Sequence, residues 1–219
     1  MANTRTRRTQ AERTAQTRRA VLDATIDALV EVGFRAVTTT DVAHRARVSI
    51  GALLHHFPTK SDLLCAAVAH SFDRSVEEYR EVMPRPDPSA DQVDIAIELL
   101  WSMYQRPTYT AWQELWTAAR TDAELAAAVV DIDRKVMAAI ERGYTEMFPA
   151  EGDSRSAPVV LHLLFALFDG LAMSRSIPGY EPYPTAAVIA AVKGIVRPLV
   201  THSREDRERN RENHELFIR

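Results

Sequence analysis

The chain has 219 residues, is 46% hydrophobic and holds seven glycines; that is enough to bury a core, and it lacks the alternating β-branched runs of a sheet protein. One cysteine, Cys65, excludes an internal disulfide framework and fits a reducing cytoplasm, while the longest uncharged stretch, residues 156–168, is too short to span a bilayer. The net charge of −3 hides a split: residues 1–60 carry ten Lys/Arg against five Asp/Glu, the rest seventeen against twenty-five, so only the head of the chain suits a polyanion.

Residues 1–10 read as a disordered basic arm. Arg5, Arg7, Arg8, Arg13, Arg18 and Arg19 face a single acid, Glu12, in the first twenty residues. Phosphate attraction and plain solvation both account for such an arm. No apolar run follows it, which predicts no signal peptide. A first helix is expected over 11–32, with Leu22, Ile26, Leu29 and Val30 as its apolar stripe. Gly33 stands where a left-handed cap belongs, with Phe34 as its apolar partner. Thr38 opens a second helix with the Thr38–Asp41 spacing of a capping box, and that helix ends near Ala46. Ser49 caps a third, which stops at Phe57 because Pro58 cannot continue it. Ser61 is expected to cap a fourth, over 62–82. Three prolines within residues 83–89 then mark either a domain boundary or a rigid helix corner. Five further helices are expected at about 90–105, 108–120, 122–148, 157–176 and 185–200, followed by a tail, 201–219, with interleaved charges. The fold class is therefore all-α with about nine helices: a three-helix head over 11–60 and a helical body over 61–200.

The short link between the second and third helices makes them cross steeply, as in a helix-turn-helix, with Val42, Ala43, Val48, Leu53 and Phe57 turned inward. The face left outside carries Ser49, Ile50, Ala52, His55 and His56, with Leu54 partly exposed. It has no Arg or Lys. Small and apolar side chains of this kind suit thymine methyls and close backbone approach in a major groove. Thr39, Thr40, Ser49, His55, His56 and Lys60 are the phosphate candidates, with the helix N-terminal amides.

Residues 19–65 resemble the DNA-binding region of the TetR family of transcriptional regulators. The resemblance rests on Leu22-Asp23-Ala24, Val32-Gly33-Phe34, Thr39-Thr40-Asp41-Val42-Ala43, Val48-Ser49-Ile50-Gly51-Ala52-Leu53 and His55-His56-Phe57-Pro58-Thr59-Lys60-Ser61-Asp62-Leu63-Leu64. It implies a homodimer that reads a palindromic double-stranded operator, with a C-terminal helical domain that binds a small-molecule effector. It adds Gly51 and Arg47 to the DNA candidates. Two departures stand out. Arg47 occupies the turn position where the family usually has Gly, at a cost of roughly 1 kcal/mol for a left-handed non-glycine residue. Leu54 stands where the family often has Tyr.

In the body, Val188, Val192, Ile195 and Leu199 repeat at four-three-four steps beside Ala187, Ala190, Ala191 and Gly194. This pattern suits a dimer seam or an intrachain core helix, and a palindrome-reading head favours the seam. All three tryptophans, Trp101, Trp112 and Trp116, lie within residues 101–116 with Tyr104. With Met137, His162, Phe165 and Phe168 they are candidates for a mostly apolar ligand cavity, against the plainer alternative of core packing. Neither a phosphate-binding Gly loop nor a catalytic His or Ser motif occurs. His55 and His56, adjacent on a helix, point about 100° apart and cannot chelate one metal. No enzyme activity, cofactor, metal or membrane association is expected. The resulting reading is a cytoplasmic, sequence-specific transcriptional regulator, a repressor released by a small apolar ligand. The alternatives are an effector-independent DNA-organising or nucleoid-occlusion-type protein and, less favoured, a helical enzyme with an apolar substrate.

Overall fold

The computed structural model describes residues 10–82, 92–147, 156–177 and 179–197. Most of the arm, the proline-rich link, the charged tail and Leu199 lie outside them. The described residues form nine helices and no strand. They are α1 (Gln10–Ala36), α2 (Thr39–Arg45), α3 (Ile50–His56), α4 (Lys60–Val82), α5 (Gln92–Tyr104), α6 (Pro107–Ala119), α7 (Ala123–Met147) and α8 (Ser156–Ser174), and α9 over 185–197. None is long and apolar enough to cross a membrane.

Two compact units emerge. The first runs to Ser75 and takes in Pro107–Arg134, and the second holds Val76–Arg106 and the residues from Lys135 on. In the first, Val21, Leu22, Ile26 and Leu29 of α1, Val42 and Ala43 of α2, and Leu53 and Phe57 around α3 are buried in one core. That core continues into Leu64 and Val68 of α4, Ala111 and Leu115 of α6, and Leu125 of α7. Val48, expected inside, is partly buried against the same cluster. Val30, expected in the stripe, is exposed. Thr25, offered by no apolar pattern, is fully buried because its hydroxyl donates to the Val21 carbonyl at 2.7 Å.

In the second unit α5 packs on α8. Trp101 and Tyr104 meet Phe168 edge-on, with ring centroids at 5.2 and 5.5 Å. Ile97, Leu164, Leu171, Ile189, Val192 and Val196 are buried. Charge ties α9 to α5: Arg197 forks onto Asp94 at 2.5 and 3.0 Å, and Lys193 reaches Glu98 at 2.6 Å. The Arg197 bonds hold the Asp94 carboxyl below its ordinary range, and the Glu98 bond raises the Lys193 ammonium.

Candidate nucleic-acid interface

α2 and α3 have seven residues each, too few to be stable alone. Local hydrogen bonds and one shared core define them instead. At the start of α2, Thr38 Oγ1 accepts the Asp41 N–H at 3.1 Å. At its end Arg47 takes φ 57°, the left-handed value expected of it. The Val48 N–H then bonds to the Ala43 carbonyl at 3.0 Å and the Arg47 N–H to the His44 carbonyl at 3.1 Å. This pair of bonds is a Schellman closure. Arg45 adds a tie between helices, with Nε on Asp41 at 2.7 Å and Nη1 on Glu31 of α1 at 2.5 Å; these two carboxylates raise its already high pKa.

Ser49 caps α3 as expected, its Oγ accepting the Ala52 N–H at 3.2 Å. Leu53 and Phe57 hold the inner face, and truncating a side chain as buried as Leu53 costs about 2–5 kcal/mol. The guanidinium of Arg18 lies 5.6 Å from the Phe57 ring centroid, bracing the far end of α3 from α1. Outward stand Ser49, Ile50, Gly51, Leu54 and His55, with Ala52 and His56 half-buried on the flank. Ile50 is 41% and Leu54 43% exposed. A Cβ built on Gly51 meets nothing within 4 Å, so packing does not demand a glycine there.

The fourth helix begins earlier than its sequence suggests. Thr59 is the cap, and Ser61 is not. Thr59 Oγ1 accepts the Asp62 N–H at 3.0 Å while the Asp62 carboxylate accepts the Thr59 N–H at 3.1 Å, a reciprocal capping box. Lys60 therefore lies in the first turn of α4. Its Nζ donates to the Phe34 carbonyl at 2.6 Å, and burial lowers its pKa. As a phosphate candidate Lys60 is thus already engaged within the protein. Thr40 is exposed and Thr39 half-buried at the α2 N-terminus. All eleven DNA candidates fall in the first unit. Cys65 is half-buried behind them, and burial pushes its thiol up to about 11, which leaves it protonated and unreactive at neutral pH.

A sequence profile described as "Bacterial regulatory proteins, tetR family" matches residues 21–67, the segment just described. An uncharacterised HTH-type transcriptional regulator of Mycobacterium tuberculosis is 29% identical over 175 residues, covering 78% of this chain and 88% of that one. The chain belongs to the TetR family of transcriptional regulators. CymR of Pseudomonas putida is 29% identical over 168 residues, 76% of this chain and 83% of that protein. The KstR repressor of Rhodococcus jostii is 30% identical over 145 residues, 65% of this chain and 66% of its own. The fold agrees with FadR of Bacillus subtilis, solved with stearoyl-CoA, at a TM-score of 0.62 and 15% identity, covering 80% of this chain and 95% of that one. It agrees likewise with GusR of Salmonella enterica, at 0.64 and 17% identity, covering 84% and 95%.

The body candidates fall in two groups. Trp112 and Trp116 belong to the first unit, where Trp112 meets Phe72 at 5.6 Å and Trp116 at 5.4 Å. Trp101, Tyr104, Met137, His162, Phe165 and Phe168 belong to the second. There Trp101, Tyr104 and Phe168 cluster, Phe165 and Met137 are half-buried, and His162 stands on the exposed side of α8. The seam divides as well. Val192 is buried in its own unit at 8% exposure, Val188 is half-buried and Ile195 is 58% exposed. The four-three-four pattern mixed two faces of α9. The outward one carries Ala187, Ala190, Ala191, Gly194 and Ile195.

Proposed function

We propose that this TetR-family regulator is a homodimeric repressor that reads a palindromic operator through the outer face of α3 and leaves it when a mostly apolar small molecule binds its second unit. The observation that carries the reading is the face itself. Ile50, Gly51, Leu54 and His55 are exposed, none of them is an Arg, Lys or acid, and they follow directly on the Schellman closure of α2 and the Ser49 cap of α3. Charge-free contact of this kind suits thymine methyls, while Thr39, Thr40, Arg47, Ser49 and the α2 and α3 amides serve phosphates. A palindrome requires two copies whose reading helices sit about 34–36 Å apart, or a multiple of one turn.

The second copy is supported by the apolar surface of the second unit. Val159, Leu163 and Met173 are exposed along one side of α8, Ile177 is exposed just past its end, and Ile195 with its small neighbours is exposed along α9. The effector reading is supported by the aromatic group of Trp101, Tyr104 and Phe168, with Phe165 about one turn from Phe168 on α8. Tenfold release needs only about 1.4 kcal/mol of preference for the wrongly spaced state.

The test is selection of bound duplexes from a randomised pool, followed by footprinting and sedimentation. The expected result is a two-fold symmetric site occupied by two chains, weakened by an acyl chain or a similar apolar compound. Enrichment of no sequence would refute the operator reading, and a bound single chain would refute the dimer.

A further inference from the structure

A helix that ends on a left-handed glycine usually hands the next free amide back to its own last turn. In α1 the regular helix breaks at Gly33, three residues before its end at Ala36, and that amide goes elsewhere. Gly33 combines φ 73° with ψ 170°, a pairing essentially confined to glycine. The extended ψ swings the Phe34 N–H out of α1, and it donates to Glu114 Oε2 of α6 at 2.7 Å. The other end of the same residue is held too. Lys60 Nζ takes the Phe34 carbonyl at 2.6 Å and stands 4.8 Å from the Phe34 ring centroid. The residue that leads from α1 towards α2 is thus gripped by an anion on α6 and a cation on α4.

Glu114 is well placed to transmit position. Its neighbours Ala111 and Leu115 are fully buried in the core of the first unit. Earlier on α6, Trp112 packs on Phe72 of α4, and Thr108 hydrogen-bonds Ser71 of α4. Core packing is non-directional, whereas a charge-assisted bond to one backbone amide fixes an angle. Beyond Phe34, α2 and α3 are closed into one piece by the Schellman bonds, so a small tilt at Phe34 carries the whole α3 face with it.

We propose that Glu114 is a positioning residue for DNA reading: by holding the Phe34 amide it sets the angle at which α2 and α3 leave α1, and ties that angle to the position of α6. The proposal rests on the DNA-reading function above. It also assigns Lys60 to this grip rather than to phosphate.

The experiment uses the full chain and a duplex enriched by the wild-type protein from a randomised pool, with a scrambled duplex as control. Glu114→Ala should lose about tenfold on the enriched duplex relative to the scrambled one, the size expected for a charge-assisted hydrogen bond. The ratio cancels the change in net charge. Exchange of the Phe34 amide should accelerate. Glu114→Gln, which keeps an acceptor, should recover most of both losses. Leu115→Ala, a core truncation, should lower the melting midpoint without moving the ratio. An unchanged ratio in Glu114→Ala, or a Glu114→Gln variant no better than it, overturns the proposal. Should the wild type enrich nothing, the DNA-reading function falls. Phe34 exchange then decides alone, and a rate unaltered by Glu114→Ala overturns the grip.

Discussion

Residues 38–62 and the helices α8 and α9 are both rich in apolar side chains, yet their positions are specified in different ways. In the first region two caps, one left-handed residue and one capping box, all made within four residues of chain, set where each helix starts or stops. In the second, helices apolar on nearly every side are divided between core and surface by the elements they pack on. On α8, Val160, Leu161, Leu164 and Phe168 are buried while Val159, Leu163 and Met173 are exposed. A helix hydrophobic all round is normally covered all round. Short-range chemistry thus defines residues 38–62, and long-range covering defines α8 and α9.

The sharpest way to break this comparison is to charge the two faces of α9 separately. Val192→Glu places a carboxylate in the core of the second unit and should cost about 3–5 kcal/mol, seen as a large fall in melting midpoint. Ile195→Glu, three residues on, should leave each chain folded, since it changes a solvent-exposed position. Sedimentation should show it as a monomer, with palindrome binding lost. A dimeric Ile195→Glu variant at wild-type affinity would remove α9 from the interface and leave the exposed face of α8 to explain pairing.

The same contrast explains what the sequence made legible. Nine helices, the Ser49 cap, the positive φ of Gly33 and the turn at Arg47 all follow from residues close in the chain. Thr59 was missed in favour of Ser61, although only Thr59 has an acid three residues later, the spacing a capping box needs. Glu114 lay beyond reach, because nothing near residue 33 signals a carboxylate eighty positions away. The seam candidates were divided for another reason. A four-three-four repeat names a stripe, whereas α9, bound to α5 through Lys193 and Arg197, has Val192 inside and Ile195 outside. The aromatic group was divided because α5 and α6, adjacent in sequence, serve different units.

A pH series tests the first unit through a group that no local rule accounts for. The Nε2 of His70 on α4 is buried without a hydrogen-bond partner. Burial lowers its pKa below the ordinary 6.5, with Arg18 and Arg19 of α1 and Arg74 of α4 acting the same way against the opposing pull of Asp23. The folded chain therefore holds His70 neutral, and on acidification the unfolded chain takes up the proton first. Stability from this source is complete above pH 6.5, falls as pH drops from there towards the lower folded value, and flattens below it. His70→Leu should show a shallower loss of melting midpoint across that window. Equal slopes would mean the imidazole is solvated.

Gly51 separates what the fold needs from what DNA needs. It sits inside α3 with open space where a Cβ would go. Gly51→Ala should therefore stabilise the chain by about 0.5–1 kcal/mol through lost backbone freedom in the unfolded state. The added methyl stands on the face proposed to approach DNA, so operator affinity should fall while the melting midpoint rises. A variant that is both more stable and equally tight would show that DNA does not come close at Gly51.

The smallest change in stability is expected at Leu54, where the family often has Tyr. Its exposure of 43% leaves room for a ring, so Leu54→Tyr should fold without the overpacking penalty of a core site. The phenol adds one donor on the DNA side of α3. A single hydrogen bond to a phosphate oxygen is worth on the order of 1 kcal/mol, roughly fivefold in affinity. Because phosphates carry no sequence, the gain should appear equally on enriched and scrambled duplexes. Any loss confined to the enriched duplex would instead mark the Leu54 methyls as a base contact. The melting curve arbitrates first. An unchanged midpoint is what an outward Leu54 requires, and a clear drop would show that it belongs to the core, with the α3 face turned away from the groove.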